Sequence, residues 1–433
     1  MRRYLILTTV DVLARGNNRE HQMIAHLAPR FDETWVVFRR RCSRGPLRQI
    51  IFDALVPRAR LVERNGVKFL EVNPLFNHFE GLARDASGHR EFDADQRTVV
   101  QSLKRLLFEL ISGLGVLKDI STMFFLGYFA WSRCGGRFDI ATALGPWGAV
   151  AGLCLRRLKY ISCLVYEDRD YEPGFIHTKL RRRWAAMLER VAMRRADRII
   201  SIGTRLANLR RTQTGCAVEL VPTGVDVARF ACPERQEPRP ILIYTGNMAP
   251  WSGLDLILKA LPRIRQSIPE IQCLFVGSGL PAYRAHLEQV AEKLGMRDAV
   301  RFTGEVPYHR VQSFLAEAGI GLALFQPTEL RQYAAPLKVL EYMAAGLPTI
   351  AVSPSEAADL VRREDCGLGI AFDGGAFADA VIALLGDADR YLRLAANARL
   401  ASSKYDWPAL MADEYNVLVS AYGQGSNQQR LTQ

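Results

Sequence analysis

The feature that most constrains the fold is a repeated alternation of short runs rich in β-branched and aromatic residues with amphipathic segments of helical length. It predicts parallel α/β units, because parallel strands must be joined by a long crossover, usually a helix. The predicted strands are residues 4–9, 34–38, 68–72, 139–144, 160–165, 198–202, 217–221, 241–244, 272–276, 300–303, 320–324, 349–352 and 367–371. Helical segments between them include 178–195, 254–266, 282–294, 308–318 and 376–385. The expected fold class is α/β, with two doubly wound sheets in succession.

One segment interrupts this alternation. Residues 232–240 are rich in proline and charge and are predicted to be a linker between an N-terminal domain, 1–231, and a C-terminal domain, 241–404. A helix over 405–422 is expected to cross back to the first domain, and 423–433 to form a flexible tail. Two doubly wound domains are expected to turn the carboxyl ends of their strands toward a shared cleft.

Charge is spread unevenly along the chain. The formal net charge is +12, from 57 Lys and Arg against 45 Asp and Glu. Residues 1–238 hold 39 basic and 25 acidic side chains, whereas residues 239–433 hold 18 and 20. A basic half suits nucleic acid, an anionic membrane surface or an acidic substrate, or is simply a solvated surface. Nucleic acid is disfavoured, because the sequence has no helix-turn-helix, zinc or RNA-recognition signature.

The remaining class markers point to a cytoplasmic protein. Eight cysteines form no CxxC pair and no His/Cys spacing suited to zinc, so we expect buried, reduced thiols and no metal site. The apolar segment at the beginning of the sequence is expected to be a buried strand and not a signal peptide, because Asp11 interrupts the apolar run early. The longest apolar region, 106–131, contains Glu109, Lys118 and Asp119, so no transmembrane helix is predicted.

The most informative stretch is residues 333–351, YAAPLKVLEYMAAGLPTIA. Pro336 suits the first position of a helix and Gly346 suits its end, so a helix is predicted between them. Ala334 and Ala335 offer no capping side chain, so the first N–H groups of this helix are expected to be available to an anion.

Two charged residues lie on this predicted helix, three positions apart. Lys338 in the first turn would bind a pyrophosphate, and Glu341 would accept hydrogen bonds from a ribose. The alternative is an ordinary Lys338–Glu341 ion pair on a surface helix.

Residues 338–348 resemble the nucleotide-sugar-binding element of the GT-B glycosyltransferases, specifically the large retaining group called family 4. Further matching pieces follow in the family's order at 195–201, 221–230, 244–255, 275–279 and 302–307. The resemblance covers nearly the whole chain. It implies a GT-B fold of two Rossmann-like domains, a nucleoside diphosphate sugar on the C-terminal domain, an acceptor on the N-terminal domain, and no metal or cofactor in catalysis. The donor-binding residues that it implies are Gly16, Gly246, Asn247, Ser252, Gly277, Val306, Tyr333, Pro336, Leu337, Lys338 and Glu341.

Some positions depart from the family's pattern. Tyr333 stands where the first of two paired glutamates is expected, and only the second, ribose-binding Glu341 is present. Asn247 and Ser252 replace an Arg and a Lys that would face the diphosphate, and Lys338 would supply positive charge from a different direction. This variant is similar to a divergent branch that makes bacterial surface polysaccharides.

A second concentration of polar residues follows the predicted strand 160–165. Residues 165–174, VYEDRDYEPG, place four carboxylates within six positions, and like-charge crowding would raise one pKa toward that of a general base. The residues predicted to act in catalysis are Asp168 and Asp170, with Glu167 next. The alternative is a solvated acidic loop paired with Arg169 or with the arginines at 181–183.

Basic runs at 39–41, 156–159, 179–184 and 190–198 are interleaved with apolar residues. This pattern suits an anionic membrane surface, with 106–131 as an apolar contact. We therefore expect a cytoplasmic protein that can lie peripherally on the inner face of the plasma membrane.

The expected function is transfer of a hexose, with retention, from a nucleoside diphosphate sugar to a lipid-linked or polysaccharide acceptor in cell-envelope or exopolysaccharide synthesis. One alternative is a nucleotide-sugar epimerase or hydrolase of the same fold, which needs no acceptor site. Another is a catalytically inactive binding subunit, which Tyr333 and Asn247 would suit.

Overall fold

The computed structural model describes residues 2–14, 19–40, 52, 55–77, 99–176 and 178–431, with the backbone alone over 99–114 and 424–431. The chain divides into two compact units. The first unit comprises Met1–Val221 and Met411–Gln433, and the second comprises Pro222–Leu410.

An eight-stranded sheet forms the centre of the first unit. Its strands are β1 (Arg3–Thr8), β2 (Glu33–Arg39), β3 (Arg58–Arg64), β4 (Val67–Asn73), β5 (Phe138–Leu144), β6 (Ile161–Asp168), β7 (Arg198–Ser201) and β8 (Glu219–Leu220). The strand order is β3-β4-β2-β1-β5-β6-β7-β8, and every neighbouring pair is parallel except β3 with β4. The order reverses between β1 and β5, which creates a topological switch point at the carboxyl ends of these two strands.

The helices of the first unit join these strands as crossovers. They are α1 (Arg19–Leu27), α2 (Val99–Arg133), α3 (Gly145–Arg157), α4 (Lys179–Arg195) and α5 (Thr204–Thr214). Helix α3 packs closely on β1, since a Cβ on Gly148 would lie 2.7 Å from the carbonyl oxygen of Leu7. Glycine at this position therefore sets the distance between helix and sheet.

Strand β3 is the one strand of this sheet that the sequence analysis does not predict. Its sequence, RARLVER, places charged residues on both faces, and none of its seven residues is buried. An edge strand needs no apolar face of its own and is commonly protected by charge, so it lacks the pattern by which strands are recognised.

The second unit has a six-stranded parallel sheet. Its strands are β9 (Ile241–Thr245), β10 (Gln272–Val276), β11 (Val300–Gly304), β12 (Ile320–Ala323), β13 (Thr349–Val352) and β14 (Gly367–Ile370), all of which the sequence analysis predicts to within one residue at each end. The order β11-β10-β9-β12-β13-β14 reverses between β9 and β12. The second switch point therefore lies at the carboxyl ends of β9 and β12.

Helices cover both faces of this sheet. They are α6 (Val227–Phe230), α7 (Leu254–Ser267), α8 (Pro281–Lys293), α9 (Val311–Glu317), α10 (Glu329–Tyr333), α11 (Leu337–Ala344), α12 (Glu356–Arg363), α13 (Gly374–Gly386) and α14 (Ala388–Ser402). Along β9, Leu242 and Tyr244 enter one core and Ile243 enters the other. This alternation explains the near-continuous apolar run of a parallel strand that is buried on both faces.

The boundary between the units differs from the prediction, which ends the first domain at residue 231. Val225 and Phe230 are buried in the same core as Ile243, so residues 222–231 belong to the second unit. The predicted linker is also anchored there, because the buried Arg235 donates hydrogen bonds to the carbonyl oxygens of Leu315 and Ala318.

The last helix, α15 (Trp407–Leu431), begins in the second unit, and its residues from Met411 onward belong to the first. Glu414 on this helix pairs with Arg19, and the Tyr422 hydroxyl donates to Asp139 Oδ1 at 3.0 Å. The helix continues to Leu431, past residue 422, where the sequence analysis ends it. None of the described helices, including the 35-residue α2, combines the length and hydropathy needed to span a bilayer.

Candidate donor site and acidic loop

The candidate donor site lies at the switch point of the second sheet. The loop after β9 contributes Gly246, the chain after β12 contributes Phe325, and the first turn of α11 contributes Lys338. Ligands of doubly wound sheets bind outside the carboxyl ends of the strands at such a reversal, so the topology alone marks this edge.

Two glycines allow the loops after β9 and β10 to approach each other. Gly246 has φ +121° and Gly277 has φ +137°, a conformation that side-chain-bearing residues rarely adopt. A Cβ on Gly277 would lie 2.1 Å from the Gly246 carbonyl oxygen, so any other residue would force the loops apart. A Cβ on Gly246 would lie 3.4 Å from Lys338 Nζ, so this glycine leaves room for the ammonium group.

The ammonium group of Lys338 lies against aromatic rings. Its Nζ is 3.6 Å from the ring centroid of Tyr244 and 4.7 Å from that of Phe325. Burial lowers the pKa of Lys338 to about 7, the charge of Glu341 acts against this shift, and the charge of Arg331 adds to it. A cation that has lost part of its hydration is well suited to an anionic ligand.

Glu341 is buried on the same helix, and its Oε1 accepts a hydrogen bond from the Tyr308 hydroxyl at 2.9 Å. Burial raises the pKa of Glu341 to about 7, whereas Tyr308 and Lys338 favour the charged form. Lys338 and Glu341 are both described and make no ion pair within 4.0 Å of each other, which speaks against the surface-pair alternative. Tyr308 was missed by the sequence analysis, because it lies 33 residues away and no local pattern links the two positions.

The start of α11 corrects one expectation. Pro336 caps the helix and Leu337 is its first residue. The N–H groups of Leu337 and Val339 donate to the carbonyl oxygens of Ala335 and Pro336 at 3.1 and 2.9 Å. The first turn therefore offers fewer available donors than predicted, and positive charge at this edge depends more on side chains.

The other predicted donor-binding residues lie in varied environments. The Asn247 side chain is exposed, and the half-buried Val306 packs beside the core that contains Val339. Tyr333 is half-buried at the end of α10, and the Leu337 side chain is 37% exposed. These four predictions stay predictions.

Ser252 and Gly16 stand apart from this group. Ser252 is fully buried, and its hydroxyl donates to the Ala249 carbonyl oxygen within the turn after β9. We therefore assign Ser252 to the turn and leave it out of the donor site, contrary to the prediction. Gly16 lies outside the described residues.

In the first unit, two of the three residues predicted to be catalytic are held in buried ion pairs. Glu167 is 0% exposed and accepts from Arg19 Nε at 2.6 Å. Asp168 is 1% exposed and receives two hydrogen bonds from Arg210, at 2.7 and 3.0 Å, while Arg210 also pairs with Glu189. The structure therefore does not support Asp168 and Glu167 as catalytic residues.

The alternative reading paired this loop with Arg169 or with the arginines at 181–183, and the charge of Arg169 does favour the ionised form of Glu172. Arg169 pairs with Glu20, and Arg181 pairs with Asp119. Asp170 is half-buried and stays a candidate.

Glu172 is the carboxylate of this loop that the structure brings to the switch point of the first sheet. Its Oε1 lies 3.6 Å from the position of a Cβ on Gly145, the residue that opens α3 directly after β5. Burial, followed by the charge of Asp170, raises the pKa of Glu172 to about 7. The sequence showed a carboxylate here but not its neighbour Gly145, which lies 27 positions earlier, so Glu172 was not singled out.

The class of protein follows from these observations. Two doubly wound units, of which the second carries a cation and a carboxylate at its switch point, are the features of a protein with the GT-B fold.

Comparisons with known proteins agree. Residues 239–387 match the Glycosyl transferases group 1 family. The chain is 28% identical over 300 residues to the GDP-mannose-dependent alpha-(1-6)-phosphatidylinositol monomannoside mannosyltransferase of Mycobacterium tuberculosis (strain CDC 1551 / Oshkosh), covering 61% of this chain and 73% of that protein.

Two solved structures show the same fold at 16% identity. Sucrose-phosphate synthase from Thermosynechococcus elongatus superposes with a TM-score of 0.67 over all of both chains. Anabaena Alr3699/HepE in complex with UDP superposes with a TM-score of 0.65 over 97% of this chain and 100% of that one. These similarities support a GT-B glycosyltransferase of the family 4 type, with the family model matching within the second unit.

Diphosphate binding is predicted to weaken as the pH rises above 7. Lys338 in the free protein loses its proton near pH 7, and a bound diphosphate favours the ammonium form and raises the pKa. From pH 7 upward the affinity is therefore expected to fall until the pKa of the bound form is reached, by up to about tenfold per pH unit. Calorimetry with UDP and GDP from pH 7 to 9 measures this.

A Lys338→Arg variant is the matched control, because guanidinium stays charged over this range. Its affinity is expected not to fall between pH 7 and 9. A wild-type affinity that does not change between pH 7 and 9 would contradict the role given to Lys338.

Proposed function

We propose that this glycosyltransferase moves a hexosyl group, with retention, from a nucleoside diphosphate sugar to a lipid-linked or polysaccharide acceptor in cell-envelope synthesis. The observation that carries the proposal is the placement of Lys338, between aromatic rings and opposite Gly246, on the same helix as the buried Glu341. The relative from Mycobacterium tuberculosis is described as using GDP-mannose and a phosphatidylinositol monomannoside, which supports both halves of the proposal.

Each group on the donor side has a distinct chemical task. The Glu341 carboxylate accepts hydrogen bonds from a ribose and so holds the nucleotide in one orientation. The Lys338 ammonium faces the diphosphate, on which negative charge grows as the bond to the sugar breaks. A preplaced cation in a partly dehydrated site stabilises that developing charge and so lowers the barrier.

On the acceptor side, we assign proton transfer to Glu172. A carboxyl group with a pKa near 7 is half ionised at neutral pH, so it can take a proton from an acceptor hydroxyl and release it again. Asp168 cannot do this, because Arg210 occupies both of its oxygens.

The exposed side of α2 supports a membrane-bound acceptor. Five large apolar side chains recur there every three or four residues and are each at least 43% exposed: Leu117, Ile120, Phe124, Tyr128 and Trp131. Helix α2 packs beside α3 and α4, which carry the exposed basic residues Arg157, Lys179, Arg183, Arg190 and Arg194. An apolar face beside cationic residues suits the surface of an anionic bilayer, and we propose that this unit docks there, on the cytoplasmic side.

The donor site is tested by thermal shift with UDP, GDP and other nucleoside diphosphates. One of them is expected to stabilise the protein by about 2.7 kcal/mol at a hundred times its Kd, and this stabilisation should vanish in Lys338→Ala and in Glu341→Ala. Lys293→Ala, an exposed lysine at the end of α8, is the control and should respond like wild type. The proposal fails if no nucleotide stabilises the wild-type protein, or if a nucleotide sugar is hydrolysed at the same rate with and without acceptors.

Glu172→Gln is expected to lower kcat by about 10²- to 10⁴-fold, with nucleotide affinity and the melting temperature unchanged, because the amide cannot accept the proton. Asp168→Asn should instead lower the melting temperature, since it weakens a buried ion pair. Turnover assays and melting curves on both variants separate the two roles. Turnover above a tenth of wild type in Glu172→Gln would remove this residue from the mechanism.

Membrane docking is tested by flotation with vesicles of phosphatidylcholine alone or with about a third phosphatidylglycerol, a fraction chosen to attract basic side chains. The wild-type protein should float with the anionic vesicles only, and less so at high salt. The double variant Phe124→Ser with Trp131→Ser should bind at least about tenfold more weakly, because each buried aromatic ring contributes about 1.5–3 kcal/mol. Leu400→Ser, at a 75% exposed leucine of the second unit, is the matched control.

A further inference from the structure

A second cation lies at the same edge of the second sheet. Arg331 is on α10, and its Cζ lies 3.6 Å from the centroid of the Trp251 ring, in the loop after β9. The Trp251 ring is in turn 5.9 Å from that of Phe325, which also contacts Lys338 Nζ. Trp251, Phe325 and Tyr244, called here the aromatic row, thus connect the two cations.

The two cations act on each other. The charge of Arg331 is among the causes that lower the pKa of Lys338, so the guanidinium and the ammonium group are close enough to repel each other. The faces of the aromatic row attract both cations and offset part of that repulsion. A polyanion placed between the cations would turn the repulsion into attraction on both sides, so the arrangement suits a ligand with two adjacent negative groups.

The neighbouring loop provides no charge of its own for such a ligand. Between Gly246 and Gly253 the chain carries no Lys or Arg, Asn247 is neutral, and the Ser252 hydroxyl is used within its turn. Trp251 in this loop instead holds a guanidinium that comes from a helix about 80 residues later. The positively charged side chains beside this loop are therefore Arg331 of α10 and Lys338 of α11.

We propose that Arg331, positioned by Trp251, is the second cation of the diphosphate site and gives the protein its preference for nucleoside diphosphates over monophosphates. This inference rests on the proposed function. A guanidinium presents several N–H groups in one plane and can bind two oxygens of one phosphate, while Lys338 neutralises the other phosphate as a point charge. Trp251 is a positioning residue, since it acts by fixing the guanidinium.

The test compares UDP with UMP and GDP with GMP by calorimetry. Arg331→Gln is expected to weaken binding of the diphosphate by about 10- to 100-fold and to change binding of the monophosphate by less than about twofold, because a charge-assisted bidentate pair is lost on one phosphate only. Arg331→Lys should restore part of the preference. Arg301→Gln, an exposed arginine at the start of β11, is the matched control and should behave like wild type.

Trp251 is tested by the same measurement. Trp251→Phe keeps an aromatic face and should retain most of the preference, whereas Trp251→Ala should lose it. The pH dependence adds a readout that a purely structural role would not change. In Arg331→Gln the midpoint at which diphosphate affinity falls should move to higher pH, because a cause that lowers the pKa of Lys338 is gone.

Two outcomes overturn the inference. If Arg331→Gln weakens diphosphate and monophosphate equally, or neither, Arg331 is not part of a diphosphate site. If wild type binds no nucleoside diphosphate, the proposed function fails and the inference fails with it. If the wild-type protein binds a nucleoside diphosphate but Arg331→Gln keeps the same preference for diphosphate over monophosphate, the inference fails while the proposed function stands.

Discussion

A parallel strand cannot be joined to its neighbour by a tight turn, and the rest of the second unit depends on this constraint. The chain leaves β9 toward β10 on one side, returns to β12 on the other, and so leaves an opening at the carboxyl ends of β9 and β12. Gly246 lies in the loop after β9, and Lys338 lies on α11, between β12 and β13. Both residues are therefore found at that opening. In the first unit, β5 and β6 are parallel neighbours, so the chain that follows β6 brings Glu172 next to Gly145, which follows β5.

Burial affects the ionisable groups of this protein in two different ways. Where an opposite charge is bonded directly, as Arg210 is to Asp168, the pair is a fixed part of the core, and breaking it would leave a buried charge. Where burial is only partly compensated, as at Lys338, Glu341 and Glu172, each pKa lies at about 7. Groups of the second kind can change protonation or respond to a ligand, which is why the proposed chemistry rests on them.

Much of the second unit could be read from the sequence, because the strands β9, β10, β12 and β13 are buried on both faces and form apolar runs. Strand β3, charged and at an edge, could not. The bounds of the first domain were wrong by ten residues, since Phe230 packs in the second core although the chain around it looks like a linker. The prediction that Glu167 and Asp168 are catalytic fails because their partners Arg19 and Arg210 lie 148 and 42 residues away in the chain, where no local pattern reveals the pairing.

The sequence by itself determined the alternation of strands and helices along most of the chain, the glycines at the loop crossings, and the presence of a lysine and a glutamate three positions apart on one helix. These features follow from local backbone geometry and from side-chain period. Only the tertiary structure decided which carboxylates are paired, that Tyr308 rather than Lys338 is hydrogen-bonded to Glu341, and that Arg331 lies over the Trp251 ring. Desolvation and charge interactions depend on distances in space, and residues far apart in the chain become neighbours only when it folds.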